Sequence, residues 1–374
     1  MTNTSIKSPD TSNNTLLLSA AAVVPLATYT LLITLLGLLG NTLVVYSSIR
    51  YNAIQLDKVS VLFVQNLAVA DLIYIFCNVL PSAITYLTRR YVLGRPYCFA
   101  NAVLTFIPGS VNTLTILALT AYRLLIVISP YRAISRARAR VIVGLTWLLA
   151  LGPVVIALAY RSNSVFVRTY AACVSDVYER KEAAVVVTLC LGTIIVLPVL
   201  GTTVINAILC AISISLKKAA RQRREAKELV QNGSDPPDTG REGGGVTGLL
   251  NQLRSGSLVP PTKQKKKNSP LLTVCLLSGC FVLSWTPYIV YVLWKTKDPD
   301  VSPLLELFAF HAIQLNSVCN PILYTMTNRR FGRYVKQLVS GLLPGRFHGN
   351  RSLKWVVSVT GNSATYNGSP ASGL

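Results

Sequence analysis

Apolar residues in this chain do not alternate with polar ones. They come in long blocks, with the charged residues gathered between them. Mostly apolar stretches of about 20 residues or more recur at 24–48, 60–84, 99–128, 141–160, 184–213, 270–293 and 304–326. A helix of that length crosses the roughly 30 Å hydrocarbon layer of a membrane. It also closes its backbone hydrogen bonds within itself, as hydrocarbon requires. The pattern predicts an all-α membrane protein: a seven-transmembrane helix bundle whose two chain ends lie on opposite sides. Past the seventh block, "NRRFGRYVKQLVSGLL" places Phe331, Val335, Leu338 and Leu342 on one helical face. Arg330, Arg333, Lys336 and Gln337 fall on another, which predicts a short amphipathic helix on the membrane surface.

These blocks set the expected organisation: an external N-terminus at 1–23, the bundle at 24–326, the amphipathic helix at 327–342 and a disordered tail at 343–374. A long loop at 217–267 differs in composition, running from "KKAARQRREAK" through "NGSDPPDTGREGGGVTG" to "KQKKK". Its ends read as basic extensions of the fifth and sixth helices. Its Gly/Pro/Ser centre reads as disordered.

Composition supports the membrane reading. Of 374 residues 51% are hydrophobic and only 13% charged, against about a quarter charged in soluble domains. The net charge of +22 would suggest a nucleic-acid partner until it is sorted by side. One set of alternate connections carries 10 Lys and Arg; the other, with the C-terminal tail, carries 25. The positive-inside rule then puts the N-terminus outside and the C-terminus in the cytoplasm of a multi-pass plasma-membrane protein. The charge belongs to a surface facing anionic membrane lipid, and nucleic acid is not expected as a partner. The polar opening, "MTNTSIKSPDTSNNT", predicts no cleavable signal peptide. Its sequons at Asn3 and Asn13 are candidate glycosylation sites; those at Asn232, Asn350 and Asn367 fall inside and should stay unmodified. Of eight cysteines, Cys98 and Cys173 alone fall near the outer membrane ends and loops. A disulfide between them is expected, with the other six acting as small apolar residues.

Polar residues within the spans carry the most information, because each is costly there unless paired or hydrated. Asp71 sits in the second span, Asn112 and Arg123 in the third, and His311, Gln314, Asn316 and Asn320 in the seventh. Amides in such places often serve only as interhelical glue. A carboxylate needs water or a cation. Thr105 and Arg123 are 18 residues apart, about 27 Å along a helix, with Asn112 close to the same face. Pro108 with Gly109, Pro198, Pro287 and Pro321 are candidate hinges. A transporter would also use broken helices, but seven spans divide poorly into the repeats it would need.

The motifs along residues 24–340 resemble those of the rhodopsin-like (class A) G-protein-coupled receptors. They are "GNTLVV" with Asn41, "NLAVADL" with Asp71, the Cys98 and Cys173 pair, Trp147, Pro198, "FVLSWTPY" with Phe281, Trp285 and Pro287, and "NPILY" with Asn320 and Tyr324. The resemblance implies a ligand-triggered activator of heterotrimeric G proteins with no enzymatic chemistry of its own. It also implies an allosteric sodium site at Asp71, Asn112, Asn316, Ser317 and Asn320, a donor set suited to a hydrated hard cation. Trp285 would sense the ligand, with Pro198, Phe281 and Pro287 relaying its movement past Thr113, where the family often has isoleucine. Serines and threonines of the tail, among them Ser352, Ser358, Thr360, Ser363 and Thr365, would serve arrestin recruitment after phosphorylation.

Three departures stand out. "YRL" replaces the family's "DRY", so Arg123, the expected G-protein contact, has Tyr122 in place of the adjacent acid that normally pairs with it. Lys267 is basic where some relatives have a second acid, and Asn206 replaces the fifth-span tyrosine. On that reading Arg123 is unrestrained and basal activity is raised; weak coupling is the alternative. The ligand is expected to contact Thr105, Phe106, Gly109, Trp285, Tyr288, Ile289, Val292, Phe310, His311 and Gln314. Thr105 stands where amine receptors carry aspartate, and Gln314 where opsins carry the retinal-binding lysine. Near Cys173 the alternation of Val165, Val167 and Thr169 with Phe166, Arg168 and Tyr170 suggests a hairpin lid, resembling the peptide-receptor branch. A peptide ligand is favoured. The alternatives are a small non-amine or lipid ligand, or a receptor-like protein that sequesters ligand without signalling.

Overall fold

The computed structural model describes residues 15–16, 18–50, 57–159, 164–168, 171–175, 186, 192–231, 270–295 and 301–342. Asn3, Asn13, most of the long loop and the C-terminal tail lie outside the described residues. Seven helices follow in chain order: α1 (Ala20–Arg50), α2 (Lys58–Thr88), α3 (Gly94–Ile128), α4 (Arg136–Ala159), α5, α6 (Pro270–Lys295) and α7 (Pro303–Thr327). Helix α5 opens with a π-turn at Gly192–Val196 and continues through Leu197–Gln231, so the basic extension expected after the fifth span is helical. Six of these helices are long and apolar enough to cross a membrane. The seventh, α7, spans 25 residues but carries Glu306, His311, Gln314, Asn316 and Asn320. An eighth helix, α8 (Arg329–Leu342), occupies the expected amphipathic segment, with Phe331 buried and Arg333, Lys336 and Gln337 exposed.

The bundle is arranged as a membrane protein requires, with apolar side chains outside and polar ones within. Leu283, Leu304 and Leu148 are among the most exposed side chains, whereas Asp71, Thr113, Thr115 and Gln314 are wholly buried. Such a belt would be an aggregation liability in water; in lipid it is ordinary surface. The central core joins Phe63, Leu67, Ile116, Leu119, Val199, Phe281 and Trp285 from four helices.

Prolines break the backbone ladder at fixed places, and side chains from neighbouring helices repair it. Pro81 has no N–H to offer the Cys77 carbonyl four residues back, and a π-turn at Ile75–Val79 precedes it. Asn101 Nδ2 of α3 donates to that carbonyl, and Tyr97 Oη lies 3.3 Å from the Phe76 carbonyl. Pro321 likewise frees the Ser317 carbonyl, which accepts from Asn41 Nδ2 of α1 at 2.7 Å. One residue earlier, Gly40 lets the helices approach this closely: a Cβ there would lie 2.6 Å from the Pro321 ring.

At the opposite end from Arg123, a disulfide joins Cys98 at the start of α3 to Cys173, with Cα atoms 5.3 Å apart. Cys173 lies on β2 (Ala172–Ser175), which pairs antiparallel with β1 (Ser164–Val167) and sets Phe166 opposite Cys173. The Phe166 ring packs on Tyr91, 4.9 Å between centroids. The expected disulfide and hairpin are thus present, although Thr169 and Tyr170 fall outside the described residues.

Substitution separates the two kinds of glycine. Gly40→Ala should destabilise the bundle by about 1–3 kcal/mol, because the proline ring cannot yield as a flexible side chain would. Gly144→Ala, whose Cβ meets nothing within 4 Å, should be neutral or slightly stabilising. Thermal unfolding of the detergent-solubilised protein checks both.

Candidate functional site

Helix α3 carries a seam of polar residues that touches three other sites in turn. Its centre is Asp71 of α2, fully buried. Asn112 Nδ2 of α3 donates to Asp71 Oδ1 at 2.8 Å, and Asn320 Nδ2 of α7 donates to Oδ2 at 2.7 Å. The Ser317 hydroxyl adds a third hydrogen bond. Asn112 Oδ1 and Asn316 Oδ1 are buried without a hydrogen-bond partner among the described residues, as is the Tyr324 hydroxyl. Carboxylate and amide oxygens are the donor types a hard cation takes. Of the five residues expected here, Asp71, Asn112, Ser317 and Asn320 are joined by hydrogen bonds, and no bond ties Asn316 to them among the described residues.

Nearer the disulfide end, part of the predicted ligand set comes together around Trp285. Its ring packs 5.7 Å from Phe281 and 6.0 Å, edge-on, from Tyr288. Phe106, Tyr288 and Ile289 border the same core. A Cβ on Gly109 would stand 3.2 Å from the Trp285 ring, so α3 and α6 meet here with no room to spare. Behind it the Thr113 hydroxyl turns back onto the Gly109 carbonyl at 2.7 Å. Trp285 Nε1 and both amide atoms of the buried Gln314 lack partners among the described residues. Thr105 gives its hydroxyl to Asn78 Oδ1 of α2. Pro198 is buried within α5, and Pro287 lies inside α6.

His311 is placed elsewhere. Its Nδ1 bonds the Leu307 carbonyl at 2.8 Å, its Nε2 meets Tyr86 Oη at 3.3 Å, and its own carbonyl accepts from Tyr29 Oη at 2.6 Å. It ties α7 to α1 and α2. It also lines a cavity of about 370 Å³, with Tyr29, Leu283, Pro287, Phe308 and Leu315, on the outer flank of α6 and α7.

At the far end of α3, Arg123 is buried, and the residue that meets it is Asp57, just ahead of α2. Arg123 Nη2 stands 2.9 Å from Asp57 Oδ2. This is a close ion pair, although its alignment is not that of a linear hydrogen bond. Asp57 Oδ1 accepts from the Ser60 N–H at 3.0 Å, as the N-cap of α2, and from Tyr122 Oη at 3.1 Å. Burial disfavours charge on Asp57, yet the Ser60 amide, Arg123 and Tyr122 together hold its carboxyl below the usual carboxylate range. Asp57 was not among the residues expected here. It could have been found by elimination: between Asp10 and Asp176 the chain has two acids, Asp57 and Asp71, and Asp71 belongs to the middle of its helix. Asn66 was missed as well. It accepts from Trp147 Nε1 of α4 at 2.8 Å and donates to Thr115 of α3 at 2.7 Å, joining three helices.

The sequence matches a known family. The description "7 transmembrane receptor (rhodopsin family)" matches residues 40–324. The chain belongs to the rhodopsin family of seven-transmembrane receptors. It is a multi-pass membrane protein and, as a member of a receptor family, not an enzyme. This receptor is 26% identical over 321 residues to the alpha-1A adrenergic receptor of Oryzias latipes, covering 82% of this chain and 64% of that one. It is 25% identical over 329 residues to the GQ-coupled rhodopsin of Mizuhopecten yessoensis, covering 84% and 59%. The receptor thus spans a little under two thirds of the length of these relatives. The crystal structure of squid rhodopsin shares the fold, with a TM-score of 0.62, 18% identity and coverage of 91% of this chain and 83% of that one.

Within the receptor, Trp147→Phe should cost about 1–3 kcal/mol, since Asn66 Oδ1 would remain buried with its donor gone. The loss should register as a lowered thermal midpoint in detergent.

Proposed function

We propose that this receptor binds an external ligand at its disulfide end and activates heterotrimeric G proteins at its Arg123 end. The observation that carries the reading is the continuity of α3. One helix packs against Trp285 through Gly109, bonds Asp71 through Asn112 and presents Arg123 at its far end. A displacement of α6 against Gly109 is felt along a rigid rod, because tightly packed interfaces shift between discrete arrangements instead of deforming smoothly. The charge asymmetry of the connections supports a cytoplasmic position for the Arg123 end. The basic extension of α5 is on that side too, where it meets anionic lipid or a G protein.

A peptide is the favoured ligand, supported by the β1–β2 hairpin held over α3 by the disulfide. The unpartnered Trp285 Nε1 and Gln314 amide favour, as a second reading, a small uncharged ligand that hydrogen-bonds within an apolar cleft. Likeness to an adrenergic receptor does not carry an amine over. Thr105 offers no charge, and Glu306 is engaged by Tyr291 and Lys295. Nor does likeness to rhodopsins carry retinal over, because Gln314 cannot form a Schiff base. Sodium would be held by Asp71 with Asn112, Asn316, Ser317 and Asn320, where it would neutralise the buried carboxylate and tie α2, α3 and α7 together.

Two measurements test this reading. In cells screened with peptide and small-molecule libraries against the main Gα classes, a responding wild type should lose its signal in Arg123→Ala at matched surface expression. A signal kept in the variant would remove Arg123 from coupling, and ligand binding without any G-protein response would favour the sequestering alternative. In detergent, replacing potassium with sodium should raise the thermal midpoint of wild type but not of Asp71→Asn; equal midpoints in wild type would exclude the ion.

A further inference from the structure

The pairing at the end of α3 gives the "YRL" sequence a meaning of its own. Tyr122 cannot supply the charge that an adjacent acid would, since its hydroxyl is neutral at ordinary pH. Instead it reaches across to α2 and donates to Asp57 Oδ1, while its neighbour Arg123 takes Oδ2. Two consecutive residues of α3 thereby grip one carboxylate. The Arg123 side chain is 9% exposed and that of Asp57 36%, so the arginine is deep and its counter-ion stands toward water.

We propose that Asp57 is the positioning residue for Arg123, an acid supplied by the start of α2 in place of one beside the arginine in sequence. The inference rests on the reading of this end as the G-protein-facing surface. It reverses the expectation of an unrestrained Arg123: the arginine is held, and by a different helix. The arrangement is also easily reversed. When Arg123 leaves, Asp57 Oδ1 keeps the Ser60 amide and the Tyr122 hydroxyl, and water replaces the guanidinium at Oδ2. The acid therefore stays ordered and ready to recapture the arginine. Arg123 itself must find other acceptors, because an unpaired buried charge is costly. The carbonyl oxygens or terminal carboxylate of an inserted partner chain are groups of that kind. Nε of Arg123, buried without an acceptor among the described residues, is a further donor for such a partner.

The test uses the full-length receptor with two independent readouts. Asp57→Asn keeps a good N-cap for α2 but removes the charge. Ligand-free recruitment of labelled Gα subunits should rise by roughly fivefold or more, the lower range of ordinary coupling between sites. Adding Tyr122→Asp to that variant restores a carboxylate beside Arg123 and should bring recruitment back toward wild type; a residue with a merely structural role would show no such rescue. Separately, thermal midpoints of Asp57→Asn, Arg123→Gln and the double variant should be non-additive, as directly paired residues are. Additive midpoints would overturn the pairing. Non-additive midpoints with unchanged recruitment in a receptor that does recruit Gα would overturn the positioning role. Absence of recruitment by every variant and every Gα class would instead overturn the G-protein reading, and this proposal with it.

Discussion

A backbone polar group left unbonded in hydrocarbon costs several kcal/mol, and the rest of this bundle is organised around meeting that demand. Helices meet it by themselves except where proline interrupts. At those places the freed carbonyls become the points where helices join. The Cys77 carbonyl, released by Pro81, draws Asn101 of α3 onto α2. The Ser317 carbonyl, released by Pro321, draws Asn41 of α1 onto α7, with Gly40 clearing the way. At Pro81 and Pro321 the proline creates an acceptor, and a neighbouring amide is placed to use it.

The same economy governs the buried side chains. Asp71 is held by two asparagines from two helices, and Asn66 spans Trp147 and Thr115 by using both ends of its amide. The accounting does not close everywhere: Asn112 Oδ1, Asn316 Oδ1, Trp285 Nε1 and the Gln314 amide are among the buried polar atoms without a partner in the described residues. Unsatisfied buried polar atoms are rare in folded proteins.

At the Arg123 end the constraint takes a different form, because water is close. Asp57 caps α2, accepts from Tyr122 and pairs with Arg123 through a single carboxylate. Joining a helix start to a helix end in this way fixes the register of α2 against α3 over their length, since Asp71–Asn112 and Asn66–Thr115 tie the same two helices farther along. A change at one of these ties alters the alignment of the others.

The blocks of hydrophobicity by themselves determined the seven helices, the amphipathic eighth and the disulfide, because length and polarity of a segment are local properties that hydrocarbon reads directly. Motif order likewise points Asp71, Asn112, Ser317 and Asn320 to one place. Tertiary structure alone decided who meets whom across helices. It turned His311 toward Tyr29 and Tyr86 and away from Trp285, and it brought Asp57 to Arg123 across 66 positions of sequence. No local pattern carries that second pairing, because its partners lie on different helices and meet only when α2 and α3 pack. What the sequence does carry is scarcity: with so few acids in its first half, a buried arginine had almost nowhere else to turn.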